Sequence, residues 1–62
     1  MSVLWRIEQF LRRSSMPATT FGRVAVNDPR LVEDLRAGRE PRPRTAARID
    51  AAITKLDRGD QG

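Results

Sequence analysis

Ala18-Thr19-Thr20-Phe21-Gly22-Arg23-Val24-Ala25-Val26-Asn27-Asp28-Pro29-Arg30-Leu31-Val32-Glu33-Asp34-Leu35 is the stretch whose reading decides the fold. Its first half reads as a helix from Pro17 or Ala18 to Val26, with Phe21, Val24 and Ala25 facing inward. Gly22 sits in mid-helix, where glycine costs about 1 kcal/mol relative to alanine, so it marks a close approach by a neighbouring element. Asn27-Asp28-Pro29 then forms a turn and a new start, since asparagine tolerates left-handed backbone angles, aspartate caps helices and proline fits a first helical turn. A third helix from Pro29 to about Ala37 buries Val32 and Leu35, and Gly38 ends it as a residue able to take positive φ. Two short helices joined by a break of about three residues, with a small residue at their contact, have helix-turn-helix spacing.

The flanks supply the rest of the core. Val3, Leu4, Ile7, Phe10 and Leu11 recur at three- and four-residue spacing, which makes one face of a helix from Ser2 to about Arg13, with Ser2 as its cap. Ser14-Ser15-Met16-Pro17 stops it, because the residue before a proline avoids helical angles. Arg39-Glu40-Pro41-Arg42-Pro43-Arg44 reads as a stiff, solvated connector. Thr45 is the expected cap of a fourth helix that places Ile49, Ala52, Ile53 and Leu56 on one face and reaches Asp57, with a disordered tail over 58–62. Without strand signals or repeats, the expected fold is all-α: four short helices in one domain over 1–57. Its core is Trp5, Ile7, Phe10, Leu11, Phe21, Val24, Val32, Leu35, Ile49 and Ile53. Such a core is small for a chain of 62 residues, where one core rarely contributes more than about 3–5 kcal/mol.

Composition narrows the function. The chain has 12 Lys and Arg against 8 Asp and Glu, a net charge of +4, and neither His, Cys nor Tyr. Disulfides and zinc or iron–sulfur ligation lose their ligands, so no metal or cofactor is expected. The usual catalytic acids, bases and nucleophiles are mostly missing, and a chain this short has no room for an enclosed active site, so no enzyme is expected either. No apolar run reaches the roughly 18 residues of a membrane span, and the start of the chain lacks the apolar stretch of a signal peptide, which points to the cytoplasm. Eleven of the basic residues are arginine, whose guanidinium forks two donors onto phosphates and base edges, although a high-GC genome writes arginine for lysine too.

Taken together, the stretch from Thr19 to Arg39, the proline-bearing connector and the amphipathic helix after it resemble the lambda-repressor-like (Cro/C1-type) helix-turn-helix family of phage and bacterial regulators. In that family a small residue stands where Gly22 stands, two aliphatics where Val32 and Leu35 stand, and often a glycine at the position of Gly38. Val26 departs from the pattern, since a glycine more often closes the second helix. The resemblance implies that Arg30, Leu31, Glu33 and Asp34 face the DNA major groove. Arg30 would fork onto guanine, Glu33 or Asp34 would accept from cytosine N4, and Leu31 would touch a thymine methyl. Arg30 with Asp34 and Glu33 with Arg36 also have the spacing of ordinary surface ion pairs.

Charge is unevenly placed: residues 1–27 carry +3, 28–38 carry −1, 39–48 carry +3 and 49–62 carry −1. Positive blocks bracket the third helix, which makes Thr19, Thr20, Arg23, Arg39, Arg42, Arg44 and Thr45 candidate phosphate contacts. The expected function is a sequence-specific regulator of transcription on double-stranded DNA. One module with about four base-reading side chains covers too short a site for selectivity, so a homodimer is expected, with RNA polymerase a further candidate partner. Val3 or Trp5 on the first helix, and Ile53 and Leu56 on the fourth, are the apolar positions where a dimer contact would be sought. The competing expectation is a small all-α adaptor that contacts DNA incidentally and meets a basic partner through Glu33 and Asp34.

Overall fold

The computed structural model describes residues 2–58, which form four helices: α1 (Val3–Ser14), α2 (Ala18–Val26), α3 (Leu31–Arg36) and α4 (Pro43–Asp57). No strand occurs among the described residues, so the protein is an all-α domain of four short helices. The expected tail over 59–62 lies outside the described residues, while Arg58 closes α4 with its N–H donated to the Thr54 carbonyl at 3.2 Å.

Each break has a local cause. Ser2 caps α1 by accepting the Trp5 N–H on its Oγ at 3.0 Å. Ser15 ends that helix in the left-handed region at φ 59°, and extended Pro17 opens α2. Asn27, also at φ 59°, ends α2, and its N–H reaches the Arg23 carbonyl. Asp28 then organises the turn: its carboxylate accepts the Arg30 N–H at 2.9 Å and its carbonyl accepts the Leu31 N–H at 3.2 Å. Pro29 and Arg30 therefore lie in a turn, and α3 begins at Leu31, two residues later than proline placement suggests. At its far end the Arg39 N–H bonds the Asp34 carbonyl at 3.1 Å and the Gly38 N–H the Leu35 carbonyl at 3.0 Å. This is a Schellman closure around Gly38 at φ 102°. The fourth helix starts earlier than Thr45: Arg42 is the cap position and Pro43 its first helical residue, leaving Thr45 inside the first turn.

The core joins Ile7, Phe10 and Leu11 of α1, Phe21 and Ala25 of α2, Leu31, Val32 and Leu35 of α3, and Ile49 and Ile53 of α4. Phe10 and Phe21 meet as a tilted pair with centroids 5.7 Å apart. Two expected core residues are outside it. Trp5 is 48% and Val24 56% exposed. At about 100° per residue, Trp5 points roughly 160° away from Ile7 on α1. On α2 the buried stripe is Phe21, Gly22 and Ala25, because α3 backs onto Gly22 and not onto the Val24 side.

Gly22 is a close joint between α2 and the turn that follows it. A Cβ there would stand 2.2 Å from the Asp28 carbonyl oxygen and 3.2 Å from the Leu31 Cβ. The Asp28 N–H in turn donates to the Gly22 carbonyl at 3.0 Å. Gly22→Ala should lower stability by about 1–3 kcal/mol, since the atom in the way is backbone and the turn itself must move. That outweighs the ~1 kcal/mol alanine gains in a helix interior, and a loss of 1 kcal/mol lowers the melting temperature of so small a domain by about 4–8 °C. Thermal melts of the variant check this; a raised melting temperature would show an open helical position instead.

Candidate nucleic-acid interface

The burial of α3 divides the residues expected to read bases. Leu31, Val32 and Leu35 face the core, so Leu31, expected to touch a thymine methyl, is instead 6% exposed and packed over Gly22. Its place one residue before Val32 puts it within the inward arc of so short a helix. Arg30 and Glu33 are exposed and Asp34 half-buried, all on the outward side. The two spacings that suit intrahelical ion pairs are not used. Asp34 pairs forward with Arg39 (Nη1 to Oδ2, 3.3 Å), and Arg36 reaches α1, where it forks onto Glu8 with Nε–Oε2 at 2.8 Å and Nη2–Oε1 at 2.7 Å. Arg30 and Glu33 are left without a charged partner within 4 Å among the described residues.

A notch of about 260 Å³ opens between α3, the connector and the first turns of α4. Arg39, Arg42 and Thr45, three of the residues expected to contact phosphate, line it, and Asp34 stands beside them. Arg48 joins this group, three residues beyond Thr45 and so on the same face of α4. Sequence reasoning placed Arg48 in the basic block but not in the site, although this spacing was readable. Asp28 and Glu40 also line the notch, so its charge is mixed. Arg44 is exposed on the first turn of α4 but does not line the notch. Thr19, Thr20 and Arg23 form an exposed strip on α2 that no hydrogen bond or cavity links to the notch.

Ion pairing sorts the surface. Three of the four pairs involve α1: Arg6 with Asp50, Arg13 with Asp57 at 3.0 Å, and Glu8 with Arg36. Among the described residues, eight basic side chains have no such partner: Arg23, Arg30, Arg42, Arg44 and Arg48 on α2, the α2–α3 turn or the start of α4, and Arg12, Lys55 and Arg58 on α1 and the end of α4. Five of the unpaired arginines thus cluster on and beside α2, α3 and the start of α4, where the unpaired carboxylates Asp28, Glu33 and Glu40 offset part of their charge. None of the known protein families, curated proteins or solved structures compared with this chain matches it.

The Glu8–Arg36 fork titrates. The guanidinium's hydrogen bonds hold the Glu8 carboxyl below the usual glutamate value, against burial, which raises it, and with help from the positive charge; the same hydrogen bonds and the carboxylate charge raise Arg36 above its own value, against a lesser effect of burial. A depressed carboxyl stabilises the fold above its unfolded pKa of about 4.5, and that contribution is lost as pH falls through the lower folded value. Both side chains are more than a third exposed or close to it, so solvent screening leaves about 0.2–1 kcal/mol. Glu8→Gln should therefore lower the urea midpoint slightly at pH 7 and leave it unchanged near pH 2, with a flatter acid limb between. Equal destabilisation at both pH values would assign the loss to packing.

Proposed function

We propose that this protein is a sequence-specific, double-stranded-DNA-binding regulator of transcription that places α3 and the turn before it in the major groove. The observation that carries the reading is the cluster of unpaired arginines on and beside α2, α3 and the start of α4. Five arginines without acidic partners surround the helix-turn-helix, while the carboxylates of α1 and of the later turns of α4 are occupied in ion pairs. Free arginines beside an outward helix meet the demand of a duplex, whose phosphates flank a groove wide enough for a helix.

The roles divide by what each side chain has available. Arg30, exposed and unpaired, reads a base edge, with guanine O6 and N7 the acceptors its fork fits. Glu33 is equally free and accepts from a cytosine amino group. Asp34 is engaged with Arg39 and so orients that arginine toward the backbone instead of reading a base itself. Arg39, Arg42, Arg48 and Thr45 hold phosphate at the notch, Arg44 on the first turn of α4 and Thr19, Thr20 and Arg23 on α2 hold it elsewhere. Leu31 drops out of the reading set. The reading requires neither metal nor cofactor nor catalysis, places the protein in the cytoplasm on the nucleoid, and is completed by a second copy of the chain, with RNA polymerase a further candidate partner.

Selection of bound duplexes from a random pool across a salt series tests the proposal. A sequence motif should emerge, and log affinity should fall steeply with log salt, each phosphate contact adding about 0.9 to the slope. Arg30→Ala should relax preference at one base pair, at about 1–3 kcal/mol, whereas Arg42→Ala should weaken all sequences alike and flatten the slope by about one contact. Binding weaker than ~10⁻⁴ M at low salt, no better than ordinary non-specific affinity, would leave the adaptor reading in its place.

A further inference from the structure

The largest exposed side chain lies apart from the proposed DNA-facing notch. Trp5, 48% exposed, lines a groove of about 290 Å³ between α1 and α4 that shares no residue with that notch. The ion pairs on this side fix how the two helices run. Arg6 pairs with Asp50 and Arg13 with Asp57, a step of seven residues in the same direction on both helices, so α1 and α4 lie parallel. The buried Ile53 is the apolar base of the groove, Trp5 and Gln9 stand one turn apart on its α1 side, and Thr54 lines it from α4. Its charged residues are three arginines, Arg6, Arg13 and Arg58, against one aspartate, Asp57. Arg13 holds Asp57 and Arg6 is drawn to Asp50 beyond the groove, while Arg58 has no acidic side chain within 4 Å among the described residues.

The fold leaves the recognition groups of this groove unused. The core closes without the Trp5 indole. Among the described residues, neither the Gln9 amide nor the Thr54 hydroxyl is taken up in a hydrogen bond. We infer that the groove binds a nucleotide, its base stacked on Trp5 with an edge toward Gln9 and Thr54, and its phosphate on Arg58 beside Arg13. An exposed aromatic face stacks on any base, because every base has a π-face. A glutamine amide carries both donor and acceptor, as a base edge does, and a hydroxyl serves as either. A guanidinium meets phosphate through two parallel hydrogen bonds. Arg13 stands about two turns beyond Trp5 on α1, so the cationic end is set apart from the indole, as a sugar sets phosphate apart from base.

Size and charge select this occupant over a folded acidic partner. Small-molecule pockets begin at about 300 Å³, close to the volume found here. A partner helix, about 10–12 Å across with its side chains, would ride on the rim and leave Gln9 and Thr54 without the planar edge that fits them. The excess of arginine inside the groove requires the ligand to be an anion, and Asp57 opposes it less for being held by Arg13. One stack and one free cation make a weak site, with a dissociation constant of about 0.1–1 mM. The inference does not rest on the duplex-binding reading, since it uses a different face and is measured without a duplex.

Titration of the full chain with adenosine 5′-monophosphate should quench the emission of its single tryptophan and saturate in that range. Adenosine alone and inorganic phosphate alone should each bind several-fold more weakly, because each fills half of the site. In equilibrium dialysis, Trp5→Ala should weaken binding by about 5- to 150-fold, the contribution of one stacked base. Arg58→Ala should weaken it several-fold, and both variants should keep the melting temperature, since both side chains are exposed. A single-stranded oligoadenylate that binds more tightly per nucleotide than the monophosphate assigns the site to an unpaired strand, and equal binding assigns it to the free nucleotide. The proposal is overturned by the absence of saturable quenching, by binding indifferent to either substitution, or by an equal response to inorganic phosphate or to tetraglutamate, which carries charge without a ring. A failed titration leaves the selection experiment on DNA to be judged separately.

Discussion

The absence of a side chain at Gly22 is the constraint on which the arrangement of the other elements depends. The Asp28 carbonyl occupies the space that a Cβ would take, and Leu31 packs directly over the same spot. That contact lets the chain reverse within Asn27–Arg30 and lay α3 against α2. Asp28 holds the reversal from three sides: its N–H bonds back to Gly22, its carbonyl accepts from Leu31, and its carboxylate accepts from Arg30. Once α3 is seated, its inward arc is Leu31, Val32 and Leu35, and the outward side is left to Arg30, Glu33 and Asp34. The identity of the outward residues follows from the contact at Gly22.

Electrostatics then distribute function over a fold they do little to stabilise. Exposed ion pairs contribute about 0.2–1 kcal/mol each, far less than the burial of Phe21 or Ile7. Their effect lies in which charges they consume. Arg6, Arg13 and Arg36 are drawn onto acidic partners, whereas the arginines of α2 and early α4 remain available. A chain with the same +4 spread evenly would have no preferred face for an anionic partner.

Most of the fold was legible because periodicity and punctuation agreed. The α1 stripe, the Ser2 cap, the break at Ser14–Pro17, the close approach at Gly22 and the positive φ of Gly38 are local properties, and each stands where its residues place it. The errors arose where a position could face either way. Val24 and Leu31 are both aliphatic and both lie at the edge of an apolar arc; α3 backs onto Gly22 and Ala25, which exposes Val24 and buries Leu31. Trp5 was assigned to the core by hydrophobicity, although its angle on α1 already opposed Ile7. In the candidate site, Arg30 and Glu33 were recognisable from their spacing against Val32 and Leu35. The engagement of Asp34 by Arg39, and the entry of Arg48 beside Thr45, required the Gly38 closure and the early start of α4.

By itself the sequence determined an all-α chain of four short helices, their approximate limits, the glycine at which two of them touch, and the exclusion of chemistry that needs His or Cys, because all of these depend on residue type and near neighbours. Tertiary structure alone decided which arginines are neutralised. Glu8 with Arg36 and the two α1–α4 pairs join residues 28 and 44 positions apart. No local pattern encodes such partners; they are set by the way α1 lies parallel to α4 and alongside α3. The +4 that the composition displays is a sum, and which of its arginines stay free for a partner is decided by pairing across the fold.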